Sequence, residues 1–235
     1  MLEYLKLVII ISIIPVFIII GFVSSKVNSS KPFLLIIKLF LRGIISCIPA
    51  CILEMIYTNY FGKMPTNNLL AMFIYIFFGI GLIEEFCKWI NVYSGSYYSK
   101  SIHNSYDLII YSVMVSLGFA FFENIIYIFQ YGISTGIMRD FLSIPGHAMF
   151  GAFMGYYLGI AKYYSSNSKH IRKIFYILLS LLIPSIFHTI FDFLLSVNNV
   201  YYLIIFFIFV LITLKIVISK LNKMSHNNLK IKRKR

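Results

Sequence analysis

Charged residues, and acidic ones above all, are scarce in this chain of 235 residues. Only 12% of the residues are charged and Asp and Glu together number 8, whereas hydrophobic residues make up 60%. A soluble globular domain carries about a quarter charged residues and just under half apolar ones. The scarcity of charge excludes an ordinary soluble fold, and the high apolar content excludes intrinsic disorder. The sequence therefore predicts a protein whose solvent is lipid.

Cysteine is also rare, with three residues, Cys47, Cys51 and Cys87, that all lie in apolar stretches. None of them belongs to a Cys-x-x-Cys pair, which would indicate a redox or zinc motif. Cys47 and Cys51 are one helical turn apart, a spacing that small apolar packing residues often have. We therefore expect these cysteines to have a packing role and no redox role.

Apolar segments long enough to cross a bilayer recur along the whole chain. A hydrocarbon core of about 30 Å needs about 20 helical residues. The predicted spans cover residues 7–23, 33–53, 69–90, 108–131, 141–163, 174–196 and 201–218. The first lacks the small-residue cleavage site of a signal peptide, so we expect a retained anchor. The predicted fold is an all-α, polytopic membrane bundle of seven helices, or eight with a short segment near 54–65, forming a single domain over 1–235.

Basic residues alternate between the two sides of the predicted spans. They are frequent in the first, third and fifth connectors and in the tail at 219–235, and sparse in the other connectors. Cytoplasmic segments carry the excess of Lys and Arg, so the N-terminus is predicted outside and the C-terminus in the cytoplasm. A basic tail can also bind nucleic acid. A tail that follows an apolar span is better explained by anionic lipid, so membrane lipid, and no nucleic acid, is the predicted partner.

Ionisable side chains occur inside the apolar spans, where each costs about 2.5–3.5 kcal/mol. Half of the chain's acids are among them. The six residues are Glu84, Glu85, Glu123, His147, His188 and Asp192. If all six were unpaired in hydrocarbon, their summed free-energy cost would be comparable to the whole free energy of unfolding of a protein. They must therefore face one another or a water-filled cavity. The sequence therefore predicts one polar site shared by four consecutive spans.

The spacing of these residues favours convergence. Lys88 lies four residues after Glu84 and three after Glu85, so one ammonium group can reach either carboxylate. Adjacent residues of a helix point about 100° apart, so one glutamate can face a cavity while the other is braced. His188 and Asp192 are four residues apart, so the carboxylate can accept the imidazole N–H and fix its tautomer.

Three further features surround this site. Glu123 and Asn124 follow a run of aromatic residues, and a carboxylate shielded in this way suits proton transfer. Pro145 and Gly146 predict a break in the fifth helix just before His147, which would admit water. Small residues recur every fourth position in the same span, which predicts close packing against another helix. They are Gly151, Gly155 and Gly159.

The depth of the site depends on where the third span begins. A span over 69–90 puts Glu84 and Glu85 toward its inner end, away from the predicted level of Glu123 and His147. A span shifted to 73–93 puts the two glutamates at its centre. The sequence leaves both placements open.

Four motifs in this order resemble the PrsW family of bacterial intramembrane proteases. They are Glu84-Glu85-x-x-Lys88, Phe119-x-x-x-Glu123-Asn124, His147 ahead of a glycine-rich span, and His188-x-x-x-Asp192. The pattern is also similar to the wider superfamily of CAAX proteases and bacteriocin-processing proteins. The resemblance covers residues 73–195 and implies a protease-like core at about 69–196 in a bacterial cell membrane.

The resemblance further implies an endopeptidase that makes the first, extracytoplasmic-side cut in a single-pass membrane protein such as an anti-sigma factor. It assigns Glu84 as general base with Glu123 as its partner. It assigns to His188 the stabilisation of the oxyanion of the tetrahedral intermediate. It implies that His147 is a further essential polar group. The supporting residues are Glu85, Lys88, Asn124 and Asp192.

A metal cofactor and two other functions stay open at this point. Zinc accepts a mixed His/Glu set, drawn here from Glu84, Glu123, His147 and His188. The strong local zinc motif His-Glu-x-x-His is absent. The sequence therefore leaves two alternatives open, a zinc cofactor or no cofactor. Buried carboxylate–histidine chains also serve proton- or ion-coupled transporters, although no internal repeat is visible. The same fold could also serve a non-enzymatic binding or immunity protein.

Overall fold

The structure, a computed structural model, describes residues 2–25, 32–227 and 231. The helices are α1 (Leu2–Ser24), α2 (Phe33–Phe61), α3 (Leu69–Tyr97), α4 (Tyr106–Tyr131), α5 (Ile133–Ser166), α6 (His170–Ser196) and α7 (Val200–Asn227). No strand occurs in these described ranges. The predicted all-α bundle is therefore confirmed, with one helix for each predicted span. The predicted orientation depends in part on basic residues at 26–31 and in the tail at 228–230 and 232–235. These positions lie outside the described residues.

The helices extend beyond the apolar runs from which they were predicted. Helix α2 continues to Phe61, so most of the possible extra segment at 54–65 belongs to α2. Helix α7 continues to Asn227, so the first part of the predicted tail is helical. The apolar run ends where the hydrocarbon ends, whereas a helix continues as long as its backbone hydrogen bonds are satisfied.

Six of the seven described helices are long and apolar enough to cross a membrane, and α5 is the exception. Helix α5 packs against α1, α4, α6 and α7, so protein rather than lipid covers most of its surface. A central helix of this kind has no need of an apolar outer face. The helix also continues through Pro145, so the predicted break before His147 is wrong. Packing on several sides outweighs the cost of about 3 kcal/mol of an interior proline.

The bundle has its apolar side chains outside and much of its polar chemistry inside. Large apolar residues on the outer faces are widely exposed, among them Phe17, Phe33 and Leu211. Charged and polar residues such as Glu85 and Lys88 are fully buried. This arrangement is the one expected for helices in lipid, where polar groups must find partners within the protein.

The glycine stripe of α5 forms a close helix contact in the core. A Cβ atom at Gly155 would collide with the backbone of Leu108 and Ile109 on α4. Gly151 and Gly159 likewise lie directly against α4, next to Ser116 and Ser105. The predicted packing role of the stripe is confirmed, and this contact sets α4 and α5 side by side.

Helix α3 contains two π-helical turns, Phe77–Gly81 and Tyr93–Tyr97. The first turn brings α3 onto α6, since a Cβ atom at Gly81 would lie 2.5 Å from Thr189 Oγ1. The following segment, Leu82–Val92, carries Glu84 and Glu85 in its first turn, near the middle of α3. The two glutamates therefore lie near the middle of the helix, which continues beyond the predicted span over 69–90 at its C-terminal end.

Candidate active site

A cavity of about 1310 Å³ lies within the bundle. Its wall comes from the C-terminal parts of α2, α4 and α6, the N-terminal part of α5 and the middle of α3. The ionisable residues that line it are Glu54, Lys63, Glu84, Glu123, Arg139, His147, His188 and Asp192, together with Cys47, Cys51 and Tyr127. The cavity therefore lies toward the end of the bundle where α4 turns into α5 through the single residue Gly132.

Lys88 lies at the centre of the charged residues and is fully buried. Its Nζ atom donates to Glu84 Oε2 at 3.0 Å and to Glu85 Oε1 at 2.9 Å, both on α3. It also lies 2.8 Å from His147 Nδ1 on α5. The predicted sharing of one ammonium group by both glutamates is therefore observed, and the ammonium group also reaches a second helix.

The two adjacent glutamates differ in their surroundings. Glu84 lines the cavity, and its side chain keeps 6% exposure. Glu85 is fully buried and accepts from His188 Nδ1 at 3.1 Å, while its Oε2 has no hydrogen-bond partner among the described residues. Glu84 is therefore the carboxylate that can meet a water molecule or a substrate, whereas Glu85 holds Lys88 and His188 in place.

His188 faces carboxylates with both of its ring nitrogens. Nδ1 lies 3.1 Å from Glu85 Oε1, while Nε2 lies 3.3 Å from Asp192 Oδ2 and 3.9 Å from Glu84 Oε2. The Phe150 ring stacks on the imidazole with 4.8 Å between the centroids. Carboxylate oxygens accept hydrogen bonds, so this geometry suits an imidazole that donates from both nitrogens.

A second ion pair forms the opposite wall of the cavity. Arg139 Nη2 lies 2.7 Å from Glu123 Oε1, and the guanidinium group lies over the Tyr127 ring at 3.7 Å. Glu123 Oε2 also lies 2.9 Å from His147 Nε2. Glu123 is therefore bound by groups from α5 on two sides.

The hydrogen bonds of His147 fix its tautomer. An ammonium group only donates, so Nδ1 accepts from Lys88. The proton of the neutral ring is then on Nε2, which donates to Glu123. Neither nitrogen of His147 keeps a free lone pair, and the ring joins the two walls of the cavity.

Asn124 was predicted as a supporting residue, but its side chain lies away from the charged residues around Lys88. Its Nδ2 atom donates to Asp140 Oδ1 at 2.8 Å and to Ser12 Oγ at 3.1 Å. These contacts join α4 to α5 and α1 outside the cavity. The structure thus brings Glu84, Glu85, Lys88, Glu123, His147, His188 and Asp192 together and leaves Asn124 on the far side of α4.

Sequence analysis missed Arg139 and Glu54. Arg139 lies in a polar stretch that the sequence assigns to a connector, beside Asp140, and only the longer helix α5 turns it toward Glu123. Its signal was the tight turn at Gly132, which brings together residues at similar distances on either side of it, since Glu123 lies nine residues before Gly132 and Arg139 seven residues after it. Glu54 lies just beyond the predicted end of the second span, and the continuation of α2 turns it toward the cavity.

Three of the four residues suggested for zinc lie together, without Glu123, and they already bond to other groups. Glu84, His147 and His188 offer atoms within 4.8 Å of one another, and all three are buried. Zinc needs deprotonated ligands with free lone pairs about 2.0–2.1 Å from the metal. Both nitrogens of His147 are occupied, both nitrogens of His188 face carboxylates, and Lys88 already binds Glu84. In this arrangement the residues do not fit a zinc ion.

Comparison with known proteins gives a consistent assignment. A family profile described as PrsW family intramembrane metalloprotease matches residues 31–214. Protease PrsW of Clostridioides difficile is 34% identical over 227 residues, which cover 94% of this chain and 92% of that relative. Protease PrsW of Oceanobacillus iheyensis is 33% identical over 184 residues (78% and 80%), and that of Bacillus subtilis 29% over 182 residues (77% and 79%). No solved structure gives a significant match.

The matched region contains every residue that lines the cavity, from Cys47 to Ser196. The motif order had indicated the same family, and the comparison confirms it. A peptidase is therefore favoured over the transporter and the immunity protein, and the apolar helices make it a multi-pass membrane protein. The chain belongs to the PrsW family of intramembrane proteases.

Proposed function

We propose that this peptidase hydrolyses its substrate with a water molecule activated by Glu84. The proposal is supported above all by one observation: Glu84 meets the cavity while Lys88 and His188 lie beside it, so that a base, its counter-ion and a hydrogen-bond donor occupy one buried place. Electrostatic groups fixed in a site of low polarity act most strongly on charge that develops in the transition state.

The reaction requires one proton acceptor and one donor to the developing oxyanion. Glu84 takes a proton from water, and the resulting hydroxide attacks the carbonyl carbon of the scissile peptide bond. The carbonyl oxygen becomes an oxyanion, to which the Nε2–H of His188 donates as it turns from Asp192. Glu84 then gives the proton to the leaving nitrogen, the C–N bond breaks, and a carboxyl group and an amine are released.

The remaining charged residues position these groups. Asp192 accepts from His188 and holds the ring toward the cavity, as carboxylates do for histidines of active sites. Glu123, held by Arg139, orients His147, which in turn receives a hydrogen bond from Lys88. Glu123 is thus the partner of Glu84 across the cavity, linked to it through His147 and Lys88.

The side of the membrane follows from charge. The cavity lies toward the end of the bundle with few basic residues, whereas Lys100, Lys169 and the lysines of α7 lie at the other end. By the positive-inside rule the cavity end faces the outside, with the N-terminus outside and the C-terminus in the cytoplasm of a bacterial cell. A juxtamembrane segment of a single-pass protein would enter from that side. The substrate class we propose is the membrane-anchored anti-sigma factor, cut first at its extracytoplasmic side.

The boundaries of the catalytic unit are part of the proposal. Residues 69–196 supply most of the charged groups around the cavity, and α2 adds a further wall with Cys47, Cys51 and Glu54. We therefore treat 1–235 as one membrane domain around a protease core, rather than as separable parts.

The test is cleavage of tagged anti-sigma factors from the same genome, co-expressed with the wild type or with variants of equal membrane insertion. Glu84→Gln removes the base and leaves the side-chain volume unchanged, and loss of general-base catalysis costs about 10²–10⁴-fold in rate. Asp107→Asn is the matched control. Asp107 lies at the opposite end of the bundle, where it accepts from the His103 and Asn104 backbone, and asparagine can accept these bonds. Cleavage at the wild-type rate by Glu84→Gln would refute the proposal.

A further inference from the structure

We infer that Lys88 is the resident cation of this active site, and that its ammonium group keeps a divalent metal out of the set formed by Glu84, His147 and His188. The inference deepens the proposed function and rests on it for the role of Glu84. It departs from the metalloprotease description that the family profile carries. Lys88 is a positioning residue here, because it acts through the groups that it binds.

The hydrogen bonds of Lys88 are complete. An ammonium group has three N–H donors. In the structure these meet Glu84 Oε2 at 3.0 Å, Glu85 Oε1 at 2.9 Å and His147 Nδ1 at 2.8 Å. The Phe119 ring covers the remaining side, with its centroid 4.0 Å from Nζ. Complete hydrogen bonding therefore stabilises this fully buried cation in its position.

A metal ion bound to this donor set would need to displace Lys88 Nζ. The ammonium group binds a carboxylate oxygen of Glu84 and a nitrogen of His147, and these two residues belong to the donor set that lies within 4.8 Å. A dication in that set would compete with Lys88 for the same lone pairs and would repel it at short range. Two positive groups and too few free lone pairs cannot share the space, so the lysine and the metal exclude each other.

Lys88 also orders both walls of the cavity. Its donation to His147 Nδ1 leaves the proton on Nε2, which donates to Glu123. A continuous path of hydrogen bonds thus runs from Glu85 through Lys88, His147 and Glu123 to Arg139, and charges of opposite sign alternate at its charged members. The positive charge that zinc supplies in metalloproteases is here supplied by a side chain of the protein itself.

The experiment measures metal content and needs no substrate. Wild type, Lys88→Met and Lys88→Arg are purified as full-length chains in nanodiscs, equilibrated with zinc, desalted and analysed by elemental mass spectrometry. Methionine keeps the length of the side chain and removes its charge, and arginine keeps the charge. We expect wild type and Lys88→Arg to hold little zinc, and Lys88→Met to take up about one zinc ion per chain. The double variant Lys88→Met/His147→Ala should lose this zinc again.

A wild type that holds about one zinc ion per chain, and loses both zinc and cleavage to 1,10-phenanthroline, would overturn the inference. So would a folded Lys88→Met variant that binds no more zinc than wild type. Should Lys88→Met fail to insert, the zinc content and chelator response of the wild type decide the question alone. A wild type that is free of zinc but cleaves nothing would contradict the proposed function and leave this inference standing.

Discussion

The ion pair between Glu123 and Arg139 provides a quantitative test of the proposed site. Arg139 Nη2 lies 2.7 Å from Glu123 Oε1, and the two side chains keep only 19% and 13% exposure. Arg139→Met removes the charge and leaves Glu123 with His147 as its remaining partner. Glu123→Gln removes the opposite charge. If the pair acts as a unit, the two substitutions will not have independent effects on cleavage.

The expected coupling follows from the geometry. Two unit charges with their centres about 4 Å apart attract each other by about 4 kcal/mol at an effective dielectric constant of about 20. Desolvation of two largely buried side chains offsets part of this attraction. We therefore expect a coupling energy of about 2 kcal/mol, which corresponds to about 30-fold in kcat/KM.

The assay is a double-mutant cycle on kcat/KM in proteoliposomes, with a purified protein of the proposed anti-sigma class as substrate. Each single substitution should lower kcat/KM by about 30–100-fold, because the loss includes the coupling itself. The double variant should be about 30-fold more active than the product of the two losses predicts. Thermal unfolding of each variant separates a lost contact from a lost fold.

The control cycle pairs Glu123→Gln with Arg42→Met. Arg42 Nη1 donates to Ser94 Oγ at 3.0 Å, near the end of the bundle opposite the cavity, so its removal should add independently. Losses at Glu123 and Arg139 that multiply to within about twofold would refute the reasoning, because additivity of that quality is found at sites that do not interact.

Three further predictions concern the histidine, the packing and the cavity. Asp192→Asn should lower kcat/KM by about 10–100-fold without changing the unfolding temperature, because the amide holds His188 less firmly. An unchanged kcat/KM would show that Asp192 does not position His188. Gly155→Ala should destabilise the fold by about 1–3 kcal/mol in an unfolding assay. Gly21→Ala should not, because a Cβ atom at Gly21 would meet no described atom within 4 Å. In variants with one cysteine each, a small water-soluble thiol reagent should modify Cys51, which lines the cavity, faster than buried Cys87. Equal labelling would mean that water does not reach the cavity.

The features that sequence predicted well are those set by local spacing. The helices follow from apolar length, since a span has few alternatives in lipid. The contacts of Lys88 with Glu84 and Glu85 follow from the three- and four-residue periodicity of one helix. The pairing of His188 with Asp192 follows in the same way.

The contacts between helices needed the structure. Lys88 meets His147 from 59 positions away, and Arg139 meets Glu123 across the turn at Gly132. Such contacts depend on how each helix is rotated about its axis, and a span that is apolar on every face gives little indication of its rotation. Asn124 demonstrates the point, because one step along α4 from Glu123 turns its side chain toward Ser12 and Asp140.

The π-helical turn at Phe77–Gly81 limits how the chain can change length. Such a turn holds one residue more than an α-helical turn, and each residue of an α-helix advances about 100° around the axis. The wide turn absorbs this extra residue, so deleting one residue inside it would restore an α-helical turn and leave the flanking segments facing as they do now. Deleting a residue between Gly81, which lies against Thr189, and Glu84 would instead swing the two carboxylates away from His188 by about that angle. The number of residues between Gly81 and Glu84 therefore sets the direction in which the carboxylates point.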